Sequence, residues 1–217
     1  MSPLAQKPNQ PEVGKNITNT NHAIAAFLMH GKDWNGEQDL KGWWISEKLD
    51  GFRAFWDGSQ LFSRKGTPLA VPLEFTSSFP REVCLDGELW VGYQQFSKMT
   101  SVLRRSVPFS GDPKKMSELW GDVKYCVFDA PTHRGNYSER HAFARDSISG
   151  CDTHIYVIPI EACLGSDHLQ TKMEQITNKL GEGVMLYNPT AKYTPGRTPD
   201  LLKVKAYQEE DVKFISC

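Results

Sequence analysis

The chain of 217 residues has no surplus of charge of either sign, with a formal net charge of −1 at pH 7. The strongly basic balance of a general nucleic-acid-binding protein is therefore absent, although a local basic stripe could still contact a phosphate backbone. Its cysteines also lack Cys-x-x-Cys spacing. That pattern indicates neither a zinc site nor a disulfide framework, and it favours a reducing compartment. The five cysteines are Cys84, Cys126, Cys151, Cys163 and Cys217.

Long hydrophobic runs are missing as well, so no membrane-spanning segment is expected. The apolar piece at 23–29 follows a polar segment without a compact basic region, and we interpret it as one face of a short helix over 21–30 rather than a secretory signal. An intracellular location is favoured. Residues 1–20 are rich in Pro, Asn, Gln and Thr, which predicts a flexible N-terminal arm ahead of one domain over 21–217.

Strand-like runs dominate the rest of the chain and are separated by helical segments. Hairpins, such as the one that the Asp57-Gly58 pair predicts, are more prominent than regular β-α-β alternation. This order predicts an α+β fold with antiparallel sheets flanked by helices. The predicted strands are WWISEKL, FRAFW, QLFSR, VCLDGELWV, KYCVFDA, HIYVIPI, GVMLYN, LLKVKA and VKFIS, and the predicted helices are QFSKMTSVLRR, SERHAFARDSI and SDHLQTKMEQITNKL.

A lysine lies inside the aromatic-rich stretch SEKLDGFRAFWDG, at residues 46–58. Lys48 could point to solvent from a half-buried strand, or it could be a nucleophile held in a pocket. A lysine amine attacks only when neutral, and burial or nearby positive charge favours that form. Gly51 permits a close backbone approach, and Arg53 offers a planar fork of donors for hydroxyls or phosphates. The four-residue pattern alone leaves both interpretations open.

Two further strands carry candidate ligand contacts. In LDGELW, Asp86 and Glu88 are two residues apart, so they share one face of a strand, where they are either solvated or bind a cation or a sugar hydroxyl. In YCVFDAP, Phe128 is either ordinary core or an aromatic surface for stacking a nucleobase.

The C-terminal third adds an acid and a pair of bases. Glu182 lies between two glycines ahead of an apolar strand, and it is either a turn residue or a ligand for Mg²⁺, which prefers oxygen ligands. Lys203 and Lys205 alternate with apolar residues and so share one strand face. They are either solvated edge residues or cations around a triphosphate.

These five segments occur in the order of the motifs of covalent nucleotidyltransferases, which include ATP-dependent DNA ligases, RNA ligases and mRNA capping enzymes. The text WISEKLDGFRAFWDG, FSRKG, LDGELW, FDAP, GEGVML, PGR and DLLKVK most resembles small, minimal ATP-dependent DNA ligases of the bacterial accessory type. The resemblance runs from about residue 25 to the C-terminus. It implies the ATP-grasp-like adenylation fold, with the nucleotide pocket between its sheets.

The resemblance also implies a role for each matching residue. Lys48 would attack the α-phosphorus of ATP to form lysyl-AMP, which then passes to the 5′-phosphate of a nick before the 3′-hydroxyl seals the strand. The residues implied in ATP binding are Glu47, Lys48, Arg53, Arg64, Glu88, Phe128, Lys203 and Lys205. The implied ligands of Mg²⁺ or Mn²⁺ are Glu88 and Glu182, and the expected DNA contacts are Arg64, Arg104 and Arg105.

One part of the family pattern is not matched. Such ligases continue past the lysine pair into an OB-fold domain, and the sequence stops at Cys217. The expectation is an adenylation domain without the OB domain, a monomer acting on nicked double-stranded DNA, with a partner as one source of the missing clamp. The alternatives are an RNA ligase, a GTP-using capping-type enzyme, or an inactive nucleic-acid-binding remnant.

Overall fold

The computed structural model describes residues 21–206, with side chains from residue 23 onward. The predicted N-terminal arm and the predicted strand VKFIS lie outside these residues. The helices are α1 (Asn21–Phe27), α2 (Leu73–Thr76), α3 (Phe96–Phe109), α4 (Pro113–Trp120), α5 (Tyr137–Ser147) and α6 (Ser166–Thr177). The strands are β1 (Met29–Asp33), β2 (Trp44–Lys48), β3 (Phe52–Trp56), β4 (Leu61–Ser63), β5 (Leu85–Trp90), β6 (Lys124–Asp129), β7 (Ile155–Val157), β8 (Ile160–Ala162), β9 (Gly183–Tyr187) and β10 (Gly196–Lys205).

The described strands form two five-stranded sheets. The first sheet has the order β1-β10-β9-β2-β8, and the second has the order β4-β3-β5-β6-β7. Most neighbouring strands are antiparallel, while β1 with β10 and β6 with β7 are parallel. The predicted α+β class, with sheets flanked by helices, is confirmed. None of the helices within residues 21–206 is long and apolar enough to cross a bilayer.

Each sheet has its own apolar core on its helix-covered face. In the second sheet, Trp56 and Tyr125 pack with Phe75 of α2 and Met99 of α3. The first sheet packs against α6 through a separate buried cluster, whose members are Ile45, Val184, Leu186, Leu202, Leu169 and Ile176. Full burial of one such side chain contributes about 1.5–3 kcal/mol. The helices therefore hold the sheets from outside, and the inner faces of the sheets meet each other.

Local sequence signals explain several of the element boundaries. The β3–β4 hairpin turns at Asp57, whose carboxylate accepts the backbone N–H groups of Ser59 and Gln60 at 2.8 and 2.7 Å. Helix α5 begins with a capping box, in which Asn136 and Glu139 each accept the other's backbone N–H, at 3.0 and 2.8 Å. The predicted hairpin at Asp57-Gly58 is therefore confirmed.

The structure corrects two local predictions and contains a helix that was not predicted. The stretch HIYVIPI is two strands, because β7 ends at Val157 in the second sheet and β8 starts at Ile160 in the first. Pro159, which has no N–H for a ladder, lies at this crossing. The helix predicted over 21–30 ends at Phe27, since Met29 begins a strand beside β10. Helix α4 was not predicted, although Asp112 caps it by accepting the N–H of Lys115 at 3.1 Å.

Candidate functional site

A cleft of about 260 Å³ lies between the two sheets. The first sheet contributes residues of β1, β2, β9 and β10, and the second contributes residues of β3, β5 and β6. The lining residues are Met29, His30, Gly31, Ser46, Glu47, Lys48, Leu49, Arg53, Arg64, Glu88, Phe128, Ile158, Met185, Tyr187, Arg197, Leu201 and Lys203. Most of the residues predicted from separate motifs therefore border one cavity.

Lys48 ends β2 at this cleft and is hydrogen-bonded to a carboxylate. Its Nζ donates to Oε2 of Glu182 at 2.6 Å, and Nζ of Lys205 lies 3.6 Å from the other oxygen of the same carboxylate. The side chains of Lys48 and Glu182 are 21% and 24% exposed, so the pair is within reach of a ligand. Glu182 thus lies between two cations at the edge of the cleft.

The register of the first sheet produces this arrangement. Gly183 of β9 is the pairing partner of both Lys48 on β2 and Lys205 on β10. The glycine is required here for two reasons. Its φ of 151° disfavours L side chains, and a Cβ would collide with the carbonyl oxygen of Val204. Glu182, the residue immediately before β9, therefore lies beside both lysines.

Arg53 of β3 is held at the floor of the cleft by a two-point ion pair. Its Nε and Nη2 donate to the two oxygens of Asp86 at 3.0 and 2.6 Å. Nη2 also donates to the carbonyl of Met29 at 2.8 Å. Tyr193 braces the same carboxylate, since its hydroxyl donates to Oδ2 of Asp86 at 3.2 Å. Asp86, which is fully buried, therefore orients Arg53 rather than facing a ligand.

Glu88 lies two residues further along β5 and borders the cleft itself. The turn after Lys48 packs tightly against it, because a Cβ on Gly51 would collide with the carbonyl oxygen of Leu89 and lie 2.7 Å from Cγ of Glu88. Burial raises the pKa of Glu88 to about 8, against the opposing effects of Lys48 and Arg53. A bound cation or a hydroxyl donor would offset this burial cost.

Two apolar walls and a rim of cationic side chains complete the cleft. Phe128 on β6 belongs to the second sheet and Met185 on β9 to the first, so each sheet presents one flat or polarizable apolar side chain. Arg64, Arg197 and Lys203 border the same space. An aromatic nucleobase fits the walls, and a chain of phosphates fits the rim.

Glu47 has a different orientation from its neighbour Lys48. Successive residues of a strand point to opposite faces, so the two side chains diverge. Burial, and next the Glu47 carboxylate, raise the pKa of Tyr93 to about 12. Glu47 still borders the cleft, and its contact with ATP stays a prediction.

Of the three arginines predicted to contact DNA, Arg64 borders the cleft, whereas Arg104 and Arg105 do not. Arg104 and Arg105 lie exposed on α3, and Cζ of Arg105 is 5.6 Å from the ring centroid of Phe109. Lys114 and Lys115 are exposed in the first turn of α4, and Lys115 pairs with Asp112 at 3.0 Å. A DNA contact by Arg104 and Arg105 stays a prediction about that separate surface.

Several residues of the site were not predicted as contacts, and four of them have polar, charged or polarizable side chains that bear on ligand binding. His30, Met185 and Arg197 border the cleft, and Tyr193 braces Asp86. The motif PGR contains Arg197, which was a usable signal. No such signal was available for the other two cleft residues, since His30 lies in a segment that was predicted as helix and Met185 lies in an apolar strand that could equally be core.

A divalent metal fits this donor set only with help from a ligand. Within residues 21–206, no three His, Cys, Asp or Glu side chains cluster closely enough to hold a metal ion by themselves. Glu88 and Glu182 are close enough for the charge of Glu182 to contribute to the raised pKa of Glu88. Mg²⁺ is often held by one or two carboxylates together with substrate phosphates and water, and the two glutamates suit that mode.

Comparisons with known proteins agree with this geometry. Residues 36–205 match the family described as ATP dependent DNA ligase domain. A DNA ligase from Haemophilus influenzae is 34% identical over 180 residues, which cover 82% of this chain and 63% of that protein. The chain therefore spans less than two thirds of that relative's length.

Solved structures show the same likeness. A structure from a structure–function study of Lig E DNA ligases, concerned with DNA binding with a minimal scaffold, matches with a TM-score of 0.74 and 30% identity, covering 82% of this chain and 68% of that one. The Chlorella virus DNA ligase–adenylate matches in fold with a TM-score of 0.65 and 21% identity, with the same shares covered. With a family match over most of its length and a relative above 30% identity, the chain belongs to the ATP-dependent DNA ligase domain family.

Proposed function

We propose that this chain performs the adenylation chemistry of an ATP-dependent DNA ligase and seals nicks in duplex DNA through AMP carried on Lys48. One observation carries the proposal. The Lys48 amine lies at a cleft that combines two apolar walls, a cationic rim and a carboxylate 2.6 Å from the amine. Transfer of a charged phosphoryl group depends mainly on positioning and on cations, which this cleft supplies.

The nucleotide would bind with its base between Phe128 and Met185 and its phosphates along Arg64, Arg197 and Lys203. Phe128 offers a ring face for stacking, and the thioether of Met185 adapts its shape to the other face. This orientation would bring the α-phosphorus near Lys48, since the lysine and the rim cations border the same cleft.

The Lys48 amine must leave the Glu182 carboxylate before it can react. A carboxylate at 2.6 Å stabilises the ammonium form, which has no lone pair for attack. Once the amine has left Glu182 and given up a proton, its lone pair forms a P–N bond to the α-phosphorus. The bond between that phosphorus and the bridging oxygen breaks, and pyrophosphate leaves with the electron pair. Lys203 and Lys205 would stabilise the charge that develops on the α-phosphate.

Glu182 and Glu88 are the residues proposed to hold Mg²⁺, or Mn²⁺ in its place, together with the nucleotide phosphates. The ion would neutralise phosphate charge when bound. The metal ion and the Lys48 ammonium would compete for Glu182, because a carboxylate oxygen that binds the ion no longer accepts the hydrogen bond from Lys48.

In the later steps AMP would pass from Lys48 to the 5′-phosphate of a nick, and the 3′-hydroxyl would then displace it. Arg64 is the proposed contact for that 5′-phosphate, and Arg104 with Arg105 for the duplex backbone. We propose a monomer, with any additional grip on the duplex provided by a partner.

The first experiment is intact-mass spectrometry of the protein after incubation with Mg²⁺ and either ATP or GTP. The expected result is a gain of one AMP by the wild type and no gain by Lys48→Ala. A matched control, Lys124→Ala, removes an exposed lysine from the start of β6 and should still gain AMP.

The possible outcomes separate the alternatives. A GMP adduct would move the function to the capping type. No adduct with either nucleotide would contradict self-sufficient adenylation, and binding of nicked DNA under those conditions would favour an inactive binding module. If AMP is gained, sealing of nicked DNA compared with nicked RNA distinguishes the two kinds of ligase.

A further inference from the structure

His30, the second residue of β1, borders the cleft and contacts the guanidinium of Arg53. Its Nδ1 lies 3.2 Å from Nη1 of Arg53. A guanidinium can only donate hydrogen bonds, so the histidine nitrogen must accept. Nδ1 therefore carries a lone pair, and the single ring proton of a neutral imidazole lies on Nε2.

The surrounding charges agree with a neutral ring. Burial lowers the pKa of His30 to about 4, and Arg53, Arg64 and Arg197 act in the same direction. The Asp86 carboxylate acts in the opposite direction, and its effect is smaller than those of burial, Arg53 and Arg64. A protonated ring would also lose its acceptor and face Arg53 as a second cation. His30 thus contributes hydrogen bonding to a cationic region without adding positive charge.

The contact with His30 controls which N–H group of Arg53 remains for a ligand. Three N–H groups are taken by the two oxygens of Asp86 and the carbonyl of Met29. His30 takes a fourth, through Nη1. Of the five N–H groups on an arginine side chain, one on Nη1 is left for a ligand. His30 shares that nitrogen, so it fixes the donor that Arg53 can present to the cleft.

The other side of the ring is available to a ligand. Nε2 of His30 makes no hydrogen bond with another residue in the described range 21–206. The ring borders the cleft beside Arg64, Arg197 and Lys203. An N–H at Nε2 is therefore placed among the cations proposed to surround the phosphates and ribose of a nucleotide.

We propose that His30 is a positioning residue of the nucleotide cleft, which holds Nη1 of Arg53 through Nδ1 and donates its Nε2–H to a ribose or phosphate oxygen. The inference rests on the proposed adenylation function for the identity of the ligand. The histidine–arginine contact itself involves only side chains of this protein, so it can be tested separately.

The substitutions His30→Leu and His30→Asn separate the contribution of the acceptor Nδ1 from that of the donor Nε2. Leu keeps apolar bulk without either hydrogen bond, whereas the Oδ1 of Asn can replace Nδ1 as the acceptor for Arg53. Loss of hydrogen bonds to charged groups predicts that His30→Leu raises the ATP concentration for half-maximal Lys48 adenylation by about tenfold or more. His30→Asn should recover part of that loss, while the maximal adduct changes less than the half-maximal concentration.

The matched control is His168→Leu, the same chemical change on α6 outside the cleft lining. It should leave the ATP dependence unchanged. Thermal unfolding of each variant shows whether the chain is folded. A folded His30→Leu protein with an ATP dependence within twofold of wild type would overturn the proposal, as would a failure of Asn to exceed Leu.

Two readouts remain informative if no adduct forms. Nitrogen-15 NMR of the nucleotide-free protein should show His30 neutral at pH 6, with the proton on Nε2, and a protonated ring or an Nδ1–H tautomer would contradict the proposal. Calorimetric titration of ATP into Lys48→Ala, with and without His30→Leu, measures binding without chemistry. Weaker binding with His30→Leu supports the positioning role even if adenylation itself fails, whereas equal binding counts against it.

Discussion

Two arginine–aspartate pairs, whose aspartates lie on the neighbouring strands β5 and β6 of the second sheet, have the same chemistry and opposite surroundings. In the closed pair, Arg140 donates through Nε and Nη2 to Asp129 at 2.7 and 3.1 Å, and both side chains are 1% exposed. In the cleft pair, Arg53 donates to Asp86 in the same two-point manner, but Arg53 is 17% exposed.

The remaining donors show the difference. Nη1 of Arg140 donates to the carbonyls of Gly135 and Ala191 at 3.3 and 2.9 Å, so every end of that side chain is tied to protein. Among the hydrogen bonds of the described residues, Nη1 of Arg53 bonds to the His30 ring alone and keeps one N–H unused. The closed pair fastens loops to the sheet, whereas the cleft pair leaves a donor for a ligand.

Tyr193 connects the two pairs. Its hydroxyl donates to Asp86 and accepts the backbone N–H of Met29, while its ring lies 5.5 Å from Cζ of Arg140. The floor of the cleft is thus built on the buried pair. Exposure rises from the closed pair through the cleft pair to Lys48–Glu182, and the expected cost of substitution should fall in that order.

The largest effect on stability is expected at the closed pair. Arg140→Met leaves the Asp129 carboxylate buried without its partner, which predicts a loss of about 3–5 kcal/mol in the free energy of unfolding. Urea denaturation measures it. Adding Asp129→Leu removes the stranded charge and should recover part of the loss. A decrease below about 1 kcal/mol for Arg140→Met would mean that the buried pair does not stabilise the fold.

A smaller loss is expected at the cleft pair. Asp86→Asn keeps the shape of the side chain but removes the charge that fixes Arg53, which predicts a loss of about 1–3 kcal/mol. Unlike Arg140→Met, a folded Asp86→Asn protein should also form less lysyl-AMP at a given ATP concentration, measured by intact mass. Normal adduct formation at every ATP concentration would show that the orientation of Arg53 is not needed.

Substitution at the Lys48–Glu182 pair should reduce adduct formation more than it reduces stability. The two side chains are partly exposed, so Glu182→Gln should change the free energy of unfolding by less than about 1 kcal/mol. Adduct formation should fall by about 100-fold, because the carboxylate proposed for the metal is lost. Glu118→Gln, on the outer helix α4, is the matched control and should keep full activity. A large loss of stability at Glu182 would instead indicate a structural ion pair.

How far the sequence predicts this site depends on the range of the contacts involved. Motif order indicated Lys48, Glu88, Phe128 and Glu182 as candidate site residues, and all of them lie at one cleft or its edge. Strand alternation was enough for Lys203, since it depends only on neighbours along the chain. The α+β class followed in the same way from local periodicity.

The missed features depend on contacts between distant parts of the chain. His30 becomes part of the site only because β1 pairs with β10 and so lies beside Arg53. In the sequence, the stretch HIYVIPI looks like one apolar strand, because the residues on both sides of Pro159 have a strand pattern. Only the placement of β7 and β8 in different sheets shows that it is two strands. Asp86 and Glu88 share a face as predicted, yet the partner that distinguishes their roles, Arg53, comes from another strand.

The smallest effect on the fold is expected at α3, where Arg104 and Arg105 are exposed. Replacing both with Ala should change the free energy of unfolding by less than about 0.5 kcal/mol and leave lysyl-AMP formation intact. If they contact the duplex backbone, binding to nicked DNA should weaken and its dependence on salt should become less steep, by up to about two in the logarithmic slope. Lys114→Ala with Lys115→Ala removes the same charge from α4. Equal losses of affinity in the two double variants would show that only net charge matters, whereas a larger loss and a reduced slope for the arginines alone would place the duplex against α3.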